Sequence, residues 1–473
     1  MPLVKTWQLI AGSTVAGLAL AATTVVAAGP WDSGQRKAEQ DRAASWGRTG
    51  GTDHAAGGLP QAAPSAPGVL AGVAPRAPGA RQASSGALAG VLGPMLADTA
   101  LGTLRAASVV DTATGEVLYE SNAGEAMTPA STVKIATASA ALVALGPEHR
   151  LRTTVTPGAG PGQIVLVGGG DPSLTAKKKS PAGSGGSLVA LAADAAQALK
   201  AAGTNSVSLG YDDFLYTGPV RHPIGLNDNI APVTALTADE GRPDDSTSGP
   251  VARTDDPSKD TARAFAGLLR DRGIEVTGEP ARVQAPAGAQ PLATTLSTPL
   301  AGLVERMLTN SDNDIAEALA RHTALASGQP AGFEGAEKAV RDRLASLGVD
   351  VNGSRFADGS GLNRADKVTT RLLTGLLAKA ADPQRSELRP VLTGLPVAGF
   401  TGTLKSRNAG TSPAAGLLRA KTGTLTGVNS LSGTVVDPSG RLLAFAFLTA
   451  GAGDGGAAEK GLDKLAAAVA TTP

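Results

Sequence analysis

Ser131-Thr132-Val133-Lys134, entered through Thr128-Pro129-Ala130, runs into the Ala-rich apolar stretch from Ile135 to Leu145, which Gly146-Pro147 stops. This pattern predicts a buried helix with Ser131 at its N-terminus. Residues i and i+3 share a helix face, so the Lys134 amine reaches the Ser131 hydroxyl and can take its proton. The same helix end carries partial positive charge and leaves first-turn N–H groups as donors, which suits an alkoxide or a carboxylate. Taken alone, the segment also fits an N-capping serine followed by a solvated lysine. A chain of this length contains roughly one S-x-x-K by accident.

Two later segments change that balance. Ser311-Asp312-Asn313 stands just before the helical pattern Asp314-Ile315-Ala316-Glu317-Ala318-Leu319-Ala320-Arg321, so its side chains occupy a helix-entry loop. Lys421-Thr422-Gly423-Thr424 lies in a strand-like run that continues through Ser430 to Val436 and, after the turn Asp437-Pro438-Ser439-Gly440, Arg441 to Ala450. A helix cap explains the first of these as well, and an ordinary exposed strand explains the second. Three such motifs in this order spell a serine acyl-transfer site.

With all three in place, the chain resembles the class C low-molecular-mass penicillin-binding proteins, the D-alanyl-D-alanine carboxypeptidases/endopeptidases. The long interval from Ser131 to Ser311 singles them out, because class A β-lactamases have a far shorter one. Val167-Gly168-Gly169-Gly170-Asp171-Pro172-Ser173-Leu174, Asp358-Gly359-Ser360-Gly361-Leu362 and Leu395-Pro396-Val397-Ala398-Gly399 with Gly402-Thr403-Leu404 also look like the family. The likeness runs from about Ala87 to the C-terminus. Thr401 departs from it, standing where an acidic residue is common, and His222 to Pro232 is poor in aromatic residues where relatives read the stem peptide.

The resemblance implies an acyl-enzyme on Ser131, formed from peptidoglycan stem peptides and blocked by penicillin and other β-lactams. Lys134 is expected to act as the base, its pKa lowered by burial and by a nearby Lys421 cation. Ser311 relays a proton to the leaving D-alanine, Asn313 holds the peptide amide and orients Lys134, and Asp312 shapes the loop. Lys421, Thr422 and Thr424 are expected to bind the terminal carboxylate, and Gly423 to let the ligand backbone approach. Backbone N–H groups of Ser131 and Thr424 would form the oxyanion hole. No cofactor is needed. A serine β-lactamase and a non-catalytic wall-anchored binding protein remain as alternatives, separated by penicillin turnover and by covalent adduct formation.

Other site chemistries find little support. Gly168-Gly169-Gly170 lacks a dinucleotide spacing, Lys177-Lys178-Lys179 lacks a phosphate loop, and His54, His149, His222 and His322 show no metal-ligand spacing. Lys+Arg 42 against Asp+Glu 41 gives a net charge of +1, which argues against nucleic acid as a partner. Zero cysteines exclude disulfides and thiol chemistry. The composition leaves the oligomeric state open.

The expected organisation follows. Residues 1–28 carry a basic start and an apolar run ending in Val26-Ala27-Ala28, an export signal whose length of about twenty residues also suits a membrane anchor. Residues 29–86 form an Ala/Gly/Pro-rich linker reaching roughly 40 Å. The fold class expected is α/β (α+β), a serine β-lactamase/transpeptidase-like domain made by 87–153 and 296–473. Its antiparallel sheet draws on both chain ends and is flanked by helices, and residues 154–295 form a large inserted α/β region, which the family likeness divides into two nested subdomains.

Overall fold

Leu442-Leu443-Ala444-Phe445-Ala446-Phe447-Leu448 is apolar on both sets of alternating side chains, a pattern suited to a strand covered on both faces. In the computed structural model, which describes residues 85–179 and 185–472, that segment is the central strand of a five-stranded sheet. The sheet is built from β1 (Leu104–Asp111), β2 (Val117–Ser121), β8 (Leu418–Leu425), β9 (Val428–Val436) and β10 (Leu442–Ala450), in the order β2-β1-β10-β9-β8. All of its pairings are antiparallel, and Leu104 meets Ala450 while Lys421 meets Ser432. The sheet thus draws on both ends of the described chain, as the sequence predicts.

Alternation along β10 sorts its side chains into two cores. Ala444, Ala446 and Leu448 face a cluster built with α2 (Lys134–Leu145), α5 (Leu300–Asn310), α6 (Asn313–Ala326), α7 (Phe333–Ser346) and α8 (Thr370–Ala381). Leu443, Phe445 and Phe447 face the other, under α1 (Ser85–Leu96) and α10 (Gly455–Thr471). Small residues on one side let helices come close, and stacked Phe445 and Phe447, with centroids 5.4 Å apart, fill the other. Helix α1 takes in residues 85 and 86 of the expected linker. The rest of that linker and the apolar N-terminal segment lie outside the described residues. Among the described residues, no helix is long and apolar enough to cross a membrane.

Between α2 and α5 the chain builds a second sheet around its own core. Strands β3 (Arg152–Pro157), β4 (Gln163–Val167), β5 (Ser206–Asp212), β6 (Glu275–Arg282) and β7 (Ala293–Leu296) lie in the order β6-β5-β4-β3-β7. Helix α3 (Leu188–Ala201) links β4 to its parallel partner β5, and α4 (Pro257–Arg270) links β5 to β6. Strand β7 returns beside β3, with Arg152 opposite Leu296, so the segment leaves next to where it entered. Where two nested subdomains were expected, the described residues hold one mixed sheet plus the long connection from β5 to α4, which is largely irregular. That connection is rich in turn formers, among them Gly218, Pro219, Pro223 and Gly225.

The site lies at the edge of the first sheet. Strand β8 is the terminal strand there, the turn before α2 packs against it, and the α5–α6 junction closes the other side. Because Phe447 is fully buried, Phe447→Ala should cost about 3–5 kcal/mol of stability, read as a lowered midpoint in urea unfolding with an unchanged slope.

Candidate active site

Ser131 does not open the α-helix itself. It sits in a 3-10 turn, Ala130–Val133, and α2 starts at Lys134. With three residues per turn, positions i and i+3 eclipse, so the tighter turn stacks the lysine directly over the serine. Lys134 Nζ lies 2.9 Å from Ser131 Oγ, 2.7 Å from Asn313 Oδ1 and 2.6 Å from the Ser360 carbonyl oxygen, and the lysine has no exposed surface. Ala130 enters the turn at φ 48°, a left-handed conformation that non-glycine residues seldom adopt.

Two glycines hold this turn from opposite sides. A Cβ on Gly361, at φ 84°, would overlap the Ala130 carbonyl and lie 3.0 Å from Ser131 N. One on Gly423 would lie 2.8 Å from the Pro129 carbonyl and 2.9 Å from Ser131 N, and would overlap Ser430 Oγ. The observed need for Gly423 is therefore close approach by the protein's own Pro129–Ser131 backbone. Ser430 Oγ donates to the Pro129 carbonyl at 2.6 Å and ties the same turn to β9.

Ser311 ends α5 in the left-handed region at φ 59°, ψ 39°. Asp312 then caps α6, accepting from Ile315 N at 3.0 Å, which leaves Asn313 as that helix's first residue. Asn313 Nδ2 donates to the Asn229 carbonyl at 2.9 Å, so its amide is oriented and Oδ1 faces Lys134. Lys421 is fully buried, and its Nζ donates to Ser311 Oγ at 2.9 Å and to the Thr422 carbonyl at 2.7 Å. Thr422 Oγ1 donates to Thr403 Oγ1 at 2.9 Å, and Thr424 Oγ1 to Glu459 Oε1 at 2.9 Å. A cleft of about 260 Å³ opens over Ser131, Ser311, Asn313, Thr422 and Thr424, with Asn229 and Arg253 on its far wall.

Burial lowers the Lys134 pKa from the ordinary 10.5 to about 8, against the opposing pull of Asp358, Asp312, Glu317 and Asp366. The lysine–lysine effect falls instead on Lys421, which burial, Lys134 and Arg407 hold well below the usual lysine value. The Lys421 cation expected to depress Lys134 is thus replaced by simple removal from water.

The sequence reading missed the supports beneath Lys134. Asp358 Oδ1 accepts from Ser360 N at 3.0 Å and Gly361 N at 2.6 Å, while Oδ2 accepts from Asn363 N at 2.7 Å and lies 3.0 Å from His222 Nε2. Glu317 Oε1 accepts from Gly359 N at 3.1 Å and Ser360 N at 3.0 Å, and Oε2 from Arg321 at 3.0 Å. Burial opposes a charge on His222, but hydrogen bonds to Asp358 and Glu317 prevail and raise its pKa to about 9. Burial and Asp358 raise Asp366 to about 10, which keeps it a neutral acid beside the Asp358 carboxylate. Asp358-Gly359-Ser360-Gly361 was visible as a family-like segment, but nothing in linear spacing joins it to His222 or Glu317.

Among the described residues, two groups of His and carboxylate side chains have ligand atoms within 4.8 Å of one another, His222 with Glu317 and Asp358, and Glu240 with Asp312 and Asp314. In the first, all four carboxylate oxygens already accept from backbone N–H groups, Arg321 or His222. In the second, Arg242, Arg306, Arg253 and the N–H groups of Ile315 and Ala231 take the oxygens. Both are internal ion-pair networks with their donor capacity used.

The glycine clamp yields a test. Gly361→Ala forces a methyl into the Ala130 carbonyl and displaces Ser131, so acylation by a β-lactam should fall at least tenfold. Gly267→Ala, on the open side of α4 where a Cβ meets nothing within 4 Å, should change neither acylation nor folding. Stopped-flow acylation of both variants checks this.

Known proteins resemble this chain along most of its described length. The family described as D-Ala-D-Ala carboxypeptidase 3 (S13) matches residues 88–248 and 240–470. A carboxypeptidase of Mycobacterium tuberculosis (strain ATCC 25618 / H37Rv) is 38% identical over 423 residues, covering 86% of this chain and 88% of its own. The D-alanyl-D-alanine carboxypeptidase of Actinomadura sp. (strain R39) is 31% identical over 492 residues, covering 84% and 87%. Penicillin binding protein 4 of Haemophilus influenzae shares the fold, with a TM-score of 0.65 and 24% identity over 80% of this chain and 98% of that one. The chain belongs to the D-Ala-D-Ala carboxypeptidase 3 (S13) family.

Proposed function

We propose that this protein is a serine D-alanyl-D-alanine carboxypeptidase that acts on peptidoglycan stem peptides through an acyl-enzyme on Ser131. One observation carries the reading: two buried amines each contact one hydroxyl, Lys134 on Ser131 and Lys421 on Ser311, across a single cleft. A neutral Lys134 amine has two hydrogens and one lone pair. Asn313 Oδ1 and the Ser360 carbonyl, which can only accept, take the two hydrogens, and the lone pair is left for the Ser131 O–H. That is the arrangement a general base needs.

The cycle balances within these groups. Ser131 Oγ attacks the carbonyl of the penultimate D-alanine and its proton passes to Lys134. The terminal carboxylate of the substrate, at the Thr422 and Thr424 end of the cleft, favours the charged form of Lys421. Ser311 gives its proton to the departing D-alanine amine as the C–N bond breaks, and Lys421 replaces it. In the second half, water attacks the acyl group, its proton passes to Lys421, and Lys134 returns its proton to Ser131. Backbone N–H groups of Ser131 and Thr424 stabilise the oxyanion, each worth roughly 10² to 10³ in rate. Lys421, having no exposed surface, acts through Ser311 and through its field.

The family's wall chemistry supports action outside the cytoplasm, with residues 1–28 as export signal or anchor and 29–86 as linker. We assign 87–153 and 296–473 to the catalytic domain and 154–295 to the insert. The two departures from the family pattern have local uses here. Thr401 Oγ1 accepts from Val397 N at 2.8 Å, and His222 is buried against the catalytic loop.

Labelled benzylpenicillin should modify Ser131 alone, and Ser131→Ala should take no label; an adduct mapped to Ser311 would overturn the assignment. A stable adduct with slow penicillin turnover, alongside release of D-alanine from a D-Ala-D-Ala peptide, separates the carboxypeptidase from a β-lactamase.

Acylation should rise with pH through about 8, because only the neutral Lys134 amine accepts the serine proton. Lys134→Arg stays charged and should lose at least 10³-fold in acylation while its near-UV circular dichroism is unchanged. A folded arginine variant acylating near the wild-type rate would remove Lys134 as base.

A further inference from the structure

His222 belongs to the irregular connection between β5 and α4, far from the three motifs in sequence, yet its side chain is 1% exposed and meets the catalytic loop. Its Nε2 lies 3.0 Å from Asp358 Oδ2 and 3.7 Å from Glu317 Oε1. Those two carboxylates gather the N–H groups of Gly359, Ser360 and Gly361 into one tight turn. The turn presents two things to the nucleophile: the Ser360 carbonyl that takes a hydrogen of Lys134, and Gly361 packed on the Ala130–Ser131 backbone.

We propose that His222 is a positioning residue for acylation: its Nε2–H fixes Asp358, and through it the 359–361 turn that aims the Lys134 lone pair at Ser131. The insert thereby reaches the base by a second route, beside the one from Asn229 through Asn313.

The alternatives for holding Asp358 are weaker. Two of its partners are N–H groups of the very turn it must hold and a third, Asn363 N, belongs to the same loop, so they cannot anchor that turn to the rest of the molecule. Asp366 comes from the far end of the same loop, where its Oδ1 accepts from Asp358 N at 3.2 Å and its neutral carboxyl hydrogen-bonds the Asp358 side chain, so it ties the loop only to itself. Glu317 is anchored separately on α6 by Arg321, whose guanidinium stacks on Phe333 at 4.3 Å. His222 is the side chain that reaches Asp358 from a separate element, and it is itself seated edge-on against Phe333 at 5.4 Å. Ile224 N lies 3.3 Å from Nδ1 on its other side, and in either charge state Nε2 carries the proton that Asp358 accepts.

The test rests on the acyl-enzyme reading and separates from it. The Gln side-chain nitrogen is as many bonds from Cβ as His Nε2, and the Asn nitrogen as many as Nδ1. His222→Gln therefore keeps a donor toward Asp358, His222→Asn moves it away, and His222→Leu removes it while keeping bulk. Stopped-flow acylation by benzylpenicillin, run well below each variant's melting temperature, gives the prior dissociation constant and the first-order acylation constant separately.

The Leu and Asn variants should acylate at least tenfold more slowly with the dissociation constant unchanged, and Gln should recover to within about threefold of wild type. If Leu does not fold, the Gln–Asn difference decides. Gln as slow as Asn, wild-type acylation by Leu or Asn, or a loss confined to the dissociation constant each overturns the positioning role. Wild-type protein that takes no label overturns the acyl-enzyme reading, and the positioning role with it.

Discussion

An amine cut off from water, with every hydrogen claimed, is the constraint from which the rest of this molecule is arranged. Lys134 has no exposed surface, and removal from water is what makes its neutral form accessible. An uncompensated buried ammonium is costly, so the fold surrounds the group with acceptors rather than with a counter-ion in direct contact. Its three partners come from separate places: the turn before α2, the start of α6 and the loop after residue 358. None of these can move without stranding a hydrogen bond.

The large sheet and the insert serve this arrangement from different directions. Strand β8, at the sheet edge, brings Lys421 and the Gly423 backbone against the nucleophile turn. The insert contributes Asn229, which orients Asn313, and His222, which meets Asp358. A region that looks peripheral by chain order therefore touches Asn313 directly and the loop bearing the Ser360 carbonyl through Asp358.

Much of this was legible, and the division has a physical basis. Motif residues on regular elements could be read from spacing, because a helix or strand converts sequence distance into direction: Ser131 with Lys134, Asn313 at a helix start, Lys421 on a strand. Apolar runs such as Leu442 to Leu448 announced their strand for the same reason. Less legible was the handedness of the turn at Ala130, where strain from tertiary packing overrides the helix that local sequence suggests. Gly423 was read as room for a ligand, yet its measured neighbours belong to the protein itself. His222 was set aside for lack of ligand spacing, and its partners at 317 and 358 are joined to it only through the folded chain. Helices α7 and α8 were not anticipated: the buried face of α7 is half alanine, whereas α8 carries a legible stripe at Leu372, Leu373, Leu376 and Leu377.

The pairing of β1 with β10 sets an order in time. Strand β1 needs a partner that lies at the far end of the chain, with Leu104 opposite Ala450, so the catalytic sheet is among the most non-local structures the sequence could encode. The insert's strands, opened by Arg152 and closed by Leu296, all precede Leu442–Ala450 in chain order and can pair among themselves. Until β10 pairs with both β1 and β9, the β8–β9 hairpin that holds the Ser131 turn has no sheet to join. The turn that carries Ser131 is therefore held by strands that only a long closure of the chain brings to it.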